Sequence, residues 1–189
     1  SWYIWAFYHT APERYPKMAA KKKTASKSTA RRKTAAKAAA AKKAAAEPTA
    51  DNVIWHARRQ GYLGHYKDAI KTLSSGIAKF PKDARMYRHR GHRYITLRCF
   101  DDAIKDLELA AKLAKGKPDE VEPDGMPNAA NIPTSTLQSN IWYHFGLAYY
   151  LKGDWDAAAD AARKGIGVSS NPDRLVSQTH WLYMALRRA

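Results

Sequence analysis

The sequence predicts an all-α fold: a short solenoid of three helix pairs with a C-terminal capping helix, preceded by a disordered basic tail. Three observations carry this. A skeleton of aromatic and small residues recurs within residues 51–189. Its first two copies are spaced by 34 residues. Ahead of it, residues 17–46 hold eleven Lys or Arg, no acid, and Met18 as the one large apolar residue.

The charge divides the chain in two. Over all 189 residues the net charge is +16. Residues 51–189 carry 21 basic and 15 acidic residues, a net of +6, so most of the excess lies upstream of Pro48. The length suits one domain with a real core, or a small domain plus a tail. Cys99 is the single cysteine, so no internal disulfide forms, which fits a reducing compartment. No apolar run approaches the ~20 residues of a membrane span. "WYIWAFYH" (Trp2 to His9) lacks a preceding basic region and a small-residue cleavage site, so it does not read as a signal peptide. A cytoplasmic location is the expectation.

Residues 1–17 differ in composition from everything after them, and "MAAKKK" from Met18 reads like the start of a cytosolic protein. Two readings stand for the first 17 residues: an upstream translation outside the native protein, or an aromatic docking segment anchored by Trp2, Tyr3, Trp5, Phe7 and Tyr8. Residues 18–50 form the basic low-complexity tail, which has too little apolar surface to offset its ordering entropy. Ala and Lys from Thr34 to Glu47 favour transient helix, which Pro48 ends.

The repeat begins at about residue 51. Gly64, Tyr66 and Ala69 are matched by Arg98, Phe100 and Ala103, and again by Gly153, Trp155 and Ala158. The upstream half recurs too: Tyr87, Gly91 and Tyr94 correspond to Trp142, Gly146 and Tyr149. In the first copy these positions are Val53, Ala57 and Gln60. Small residues such as Gly146 and Ala158 let two helix backbones approach, and aromatics fill the space around the contact. Gly64 and Gly153 stand where the chain reverses, and Asp154 suits a helix N-cap. Asp101 and Asp102 likewise mark a helix start. The units span about 51–83, 84–115 and 137–170, with an insertion at 116–136. Asn171-Pro172-Asp173 starts a capping helix at about 173–188.

This skeleton resembles the tetratricopeptide repeat, a helix-turn-helix unit. The matching residues are Ala57, Gly64, Tyr66, Ala69 and Pro81 in the first unit, then Tyr87, Gly91, Tyr94, Phe100 and Ala103. The third unit matches at Trp142, Phe145, Gly146, Tyr149, Gly153, Trp155 and Ala158. Gln60, Arg98 and Lys115 depart from the pattern. The resemblance implies a scaffold or adaptor whose concave groove, lined by the first helix of each pair, takes a peptide or protein segment. Its groove positions fall here on Trp55, Arg58, Tyr62, Arg85, Arg88, His89, His92, Asn140, Tyr143, His144 and Tyr150. They are basic and aromatic, which favours an acidic partner. The terminal-carboxylate clamp of chaperone-binding members is not met, since Ile54, Tyr143 and Leu147 occupy key clamp positions. The tail is similar in composition to linker-histone and histone-like tails.

The insertion carries Pro118, Pro123, Pro127 and Pro133, so it is not helical throughout. It also carries Asp119, Glu120, Glu122 and Asp124. It reads either as a long surface loop or as an acidic strap folded over the basic groove. No catalytic box is present: there is no Gly-rich phosphate loop and no G-x-S-x-G. His89 and His92 share a helix face, but with only His144 and Cys99 as conceivable additions they fall short of a metal site. Neither an enzyme nor a cofactor is expected.

The second function the sequence raises is nucleic-acid association. Lys21, Lys22, Lys23, Lys27, Arg31, Arg32, Lys33, Lys37, Lys42 and Lys43 supply phosphate-binding charge without a base-reading framework. The tail is therefore expected to bind duplex DNA or RNA without sequence preference. With about six to eight cations on phosphates, the log–log salt slope is expected to be about −5 to −7. A gel shift of the full chain against residues 51–189 at two salt concentrations checks this. Equal binding by both would remove the tail from the account.

Overall fold

The computed structural model describes residues 49–123 and 127–189. The expectations for residues 1–17 and for the basic tail, with its ten cations from Lys21 to Lys43, lie outside the described residues, as does the helix expected from Thr34.

Seven helices run through the described residues in chain order: α1 Ala50–Tyr62, α2 Tyr66–Lys79, α3 Ala84–Thr96, α4 Phe100–Ala114, α5 Leu137–Lys152, α6 Trp155–Val168 and α7 Pro172–Leu186. Their starts are written in short polar residues. Thr49 accepts from the Asn52 amide, Asp83 from that of Arg85, and Asp154 from that of Ala157. Thr136 and Ser139 satisfy each other's backbone in a capping box ahead of α5. Asn171 accepts from two amides, with Pro172 in the first turn of α7.

Each helix packs on the next, and the odd-numbered helices α1, α3, α5 and α7 also touch in series. That arrangement makes an all-α solenoid in which α1, α3 and α5 share one face. Small residues set the spacing between layers. A Cβ on Gly91 would lie 2.9 Å from the Leu107 side chain, and one on Gly146 would lie 3.4 Å from the Ala158 carbonyl oxygen. The core grows along the stack. Val53, Ala57, Ala69, Leu73 and Met86 close the first pair onto the second. Ile95, Ala103, Leu107, Phe145, Ala148 and Ala161 join the second pair to the third. Leu73 and Leu107 are both essentially inaccessible, and truncating either to Ala is worth about 2–5 kcal/mol. Arg90 ties three helices together, holding Asp106 of α4 through two bonds of 2.7 Å and Ser74 of α2 at 2.9 Å. Among the described residues no helix is long and apolar enough to cross a membrane.

The turn inside each pair has one geometry in three copies. Gly64 and Gly153 have φ of 80° and 90°, and Arg98 at the equivalent place has φ of 60°. A left-handed residue with a Cβ costs about 1–2 kcal/mol, and glycine relieves it. Arg98 is exposed, so little contact is lost with its side chain. Arg98→Gly is expected to stabilise the protein by about 1 kcal/mol in urea unfolding. No gain would show that the turn is not strained.

Candidate functional site

The shared face of α1, α3 and α5 gathers the basic and aromatic residues, but it is not an open trough. At its centre Arg88 is buried, and its guanidinium meets Glu122 of the insertion at 2.6 Å. The side chains of this pair are 8% and 5% exposed. Asn140 of α5 donates its amide to the same Glu122 carboxylate and to Ser135, the latter at 3.0 Å. Arg174 of α7 donates to the Asn140 side-chain oxygen at 2.9 Å. A line of polar contacts thus crosses from α3 through the insertion and α5 to α7. Burial pushes the Arg88 guanidinium down, Glu122 opposes that, and Arg58 adds to it.

The insertion reaches this position through its own backbone. Glu122 donates its amide to the Ser135 carbonyl at 3.0 Å, and Leu137 donates to the Glu120 carbonyl at 2.9 Å. The Asp119 carboxylate accepts from the Gln138 amide at the start of α5. Residues 119–122 are therefore a strap laid along the segment before α5. Asp124 lies outside the described residues.

The groove residues named from sequence fall into four groups. Trp55 and Tyr62 stay exposed, at 40% and 72%, with the Arg58 guanidinium 4.7 Å from the Trp55 ring centre and donating to the Tyr62 hydroxyl at 2.6 Å. Arg85 is engaged at the edge, bonded to Asp83 twice and to Asp51 at 2.7 Å. Arg88, His89, Asn140 and His144 are buried. Tyr143 and Tyr150 differ from an open lining in another way. Trp181 of α7 packs edge-on against both, and Arg174 sits 4.8 Å from the Tyr143 ring centre. The capping helix covers the third unit's share of the face, with Trp181 and Arg174 as the side chains that lie against it. Sequence reasoning missed Arg93, Arg174, Gln178 and Trp181. Gln178 is buried and donates to the Ser139 carbonyl at 3.2 Å.

No protein-family model matches the sequence, and no curated protein does. Solved structures do match in fold. The TPR2B domain in the TPR2B–pHsp70 complex of yeast Sti1 aligns with a TM-score of 0.58 at 16% identity, covering 74% of this chain and 98% of that one. The Sgt2 TPR domain from Aspergillus fumigatus aligns at 0.56 and 20% identity, covering 75% and 80%. The first TPR of Spaghetti (RPAP3), bound to the HSP90 peptide SRMEEVD, aligns at 0.57 and 16% identity, covering 73% and 93%. The described residues have the tetratricopeptide-repeat fold.

Three histidines sit inside this tetratricopeptide-repeat face. The His92 and His144 rings are 4.3 Å apart, bridging α3 and α5. His89 Nδ1 accepts from Arg88 at 2.8 Å, and His92 accepts from Arg93 at 2.7 Å, because guanidinium groups only donate. His144 donates Nδ1–H to the Asn140 carbonyl at 2.7 Å. His89 Nε2 lies 3.7 Å from Glu122, too far for a hydrogen bond, so that approach does not charge it. Burial holds all three imidazoles well below their ordinary value, and neighbouring arginines push the same way. Among the described residues no group of three or more His, Cys, Asp or Glu could hold a metal ion.

The sign of the pH effect follows. The unfolded chain takes up protons near the ordinary imidazole value of 6.5, and the folded chain resists them until the pH is well below that. The histidines' contribution to stability is full above about pH 7 and is lost as the pH falls below about 6.5. The melting temperature is expected to be level from about pH 7 to 8 and to drop below about pH 6.5, before ordinary carboxylates titrate. His92→Asn keeps an acceptor for Arg93 and is expected to shallow the drop. An unchanged slope would remove His92 as a cause.

Proposed function

We propose that this protein is an interaction scaffold whose α1–α3–α5 face docks an acidic segment of a partner protein. The observation that carries the reading is the seat of Glu122, where the face already holds a carboxylate on a guanidinium and an amide. The strap around it, Asp119-Glu120-Val121-Glu122, sets two acids, a valine and an acid in a row, as the end of the peptide bound by the first TPR of RPAP3 does. The strap thus acts as an internal ligand, and a partner segment competes with it. Trp55 and Tyr62, with the half-buried Arg58 against both rings, form the accessible end of the face and supply its aromatic anchors and orienting charge. An enzymatic role finds no support in the residues of the face, where the imidazoles are tied to guanidinium groups or a backbone carbonyl.

Fluorescence anisotropy with a labelled acidic peptide, for which SRMEEVD is a suitable probe, tests the reading on the full chain. Glu122→Gln keeps the shape of the strap and removes its charge, so the peptide is expected to bind about tenfold more tightly to this variant than to the parent. Trp55→Ala alters an exposed side chain and is expected to weaken binding by about tenfold, the size of a moderate anchor. Circular dichroism establishes that each variant is folded. Binding that neither substitution changes would place the affinity in the basic tail and overturn the groove.

A further inference from the structure

Next to the Glu122 seat a cavity of about 160 Å³ opens between α1 and α3. Its polar lining is Arg58, Tyr62, Arg88, His89, His92 and Arg93, and its apolar floor is Ala57 and Leu73. Among the described residues no acidic one lines it. The imidazoles there accept from guanidinium groups, so the wall presents donors and carries positive charge.

Two of these arginines are incompletely partnered. Arg88 is buried, and its Nε makes no hydrogen bond. A buried donor left unpaired is costly, and an acceptor oxygen brought to it removes that cost. Arg93 makes no ion pair among the described residues. Its guanidinium bonds the His92 ring, stands 5.8 Å from the Tyr66 ring centre and packs over Gly61 of α1. Its helix neighbours behave differently: Arg85 and Arg90 each hold an aspartate through two nitrogens. Burial lowers the Arg93 pKa, with Arg88 and Arg58 pushing the same way and only tyrosines opposing. Tyr62 stands at the mouth. Its hydroxyl accepts from Arg58, which leaves its own proton to donate outward.

We propose that this cavity binds a phosphoryl dianion, held by the guanidinium groups of Arg88 and Arg93 and the Tyr62 hydroxyl. A phosphoryl group brings three acceptor oxygens, enough for two guanidinium groups and a hydroxyl, whereas a carboxylate brings two. The group is carried on the docked segment or taken up as inorganic phosphate. The segment-borne form rests on the docking reading above, and the free ion does not.

The test is thermal unfolding of the full chain in inorganic phosphate, in acetate and in chloride, at matched ionic strength and pH 7.5. The tail's charge is a background common to all variants. At a concentration about ten times its Kd, phosphate is expected to raise the melting temperature by about 3 °C over chloride, with no comparable rise in acetate. Arg93→Gln is expected to weaken phosphate at least tenfold. Tyr62→Phe alters an exposed residue, keeps its ring, and is expected to weaken phosphate by about fivefold. It keeps the test decisive if Arg93→Gln does not fold. Equal stabilisation by acetate, or variants that respond like the parent, would overturn the proposal. An acidic peptide with and without a phosphoserine identifies the source. A phosphopeptide that binds more tightly than both its unmodified form and inorganic phosphate places the group on a polypeptide, and parity with inorganic phosphate assigns the free ion. Trp55-dependent peptide binding without any phosphate effect overturns this inference alone. The reverse pattern overturns the docking reading alone.

Discussion

The inner face depends on the ion pair between Arg88 and Glu122. An arginine buried as deeply as Arg88 costs several kcal/mol in desolvation, and one carboxylate repays that only when further hydrogen bonds complete the site. Asn140 completes part of it, and is held in turn by Arg174. Losing either member of such a pair leaves a bare charge indoors, typically a loss of about 3–5 kcal/mol. The insertion between the second and third helix pairs is for this reason a structural part of the solenoid. Its four prolines exclude helix, and its backbone bonds to the segment before α5 give it a fixed path to the centre of the face.

That ion pair also divides the face. Toward α1, Trp55, Arg58 and Tyr62 remain accessible, with the donor-lined cavity beside them. Toward α5, the capping helix and the strap occupy the space. A segment docked as proposed would meet aromatic and guanidinium groups first and the internal carboxylate second. In the docking we propose, affinity would reflect the difference between two carboxylate-bearing ligands, one of them covalently attached.

The helix pairs were legible in the sequence because they rest on local rules. Spacing of small and aromatic residues fixes which helices cross closely, and caps such as Asp154 and Asn171 mark where they begin. Even the departure at Arg98 was informative, since the chain adopts there the left-handed geometry that glycine takes in the other two units. The site was less legible. Which of the four acids in the insertion enters the face depends on a path closed by Ser135 and Thr136, which periodicity does not encode. The cover over Asn140, Tyr143 and Tyr150 comes from α7, whose residues pair with them across 31 or more positions. Arg93 was hidden for a simpler reason: it follows His92 on α3, and only side-chain direction decides that it lines the same cavity.

Solenoids of stacked helix pairs are held mainly by contacts between neighbours, so their ends fray and their parts fold semi-independently. The polar line from Arg88 through Glu122 and Asn140 to Arg174 works against that. It joins α3, the strap, α5 and α7, and none of its links is satisfied by one helix pair alone. Opening α7 exposes the support of Asn140, and opening the strap strands Arg88, so a local opening at one end carries a penalty at the other. The chain thereby gains a cooperativity that nearest-neighbour stacking does not supply. Its second and third pairs and the capping helix are coupled through this line, beyond the contacts that each pair makes with its neighbour.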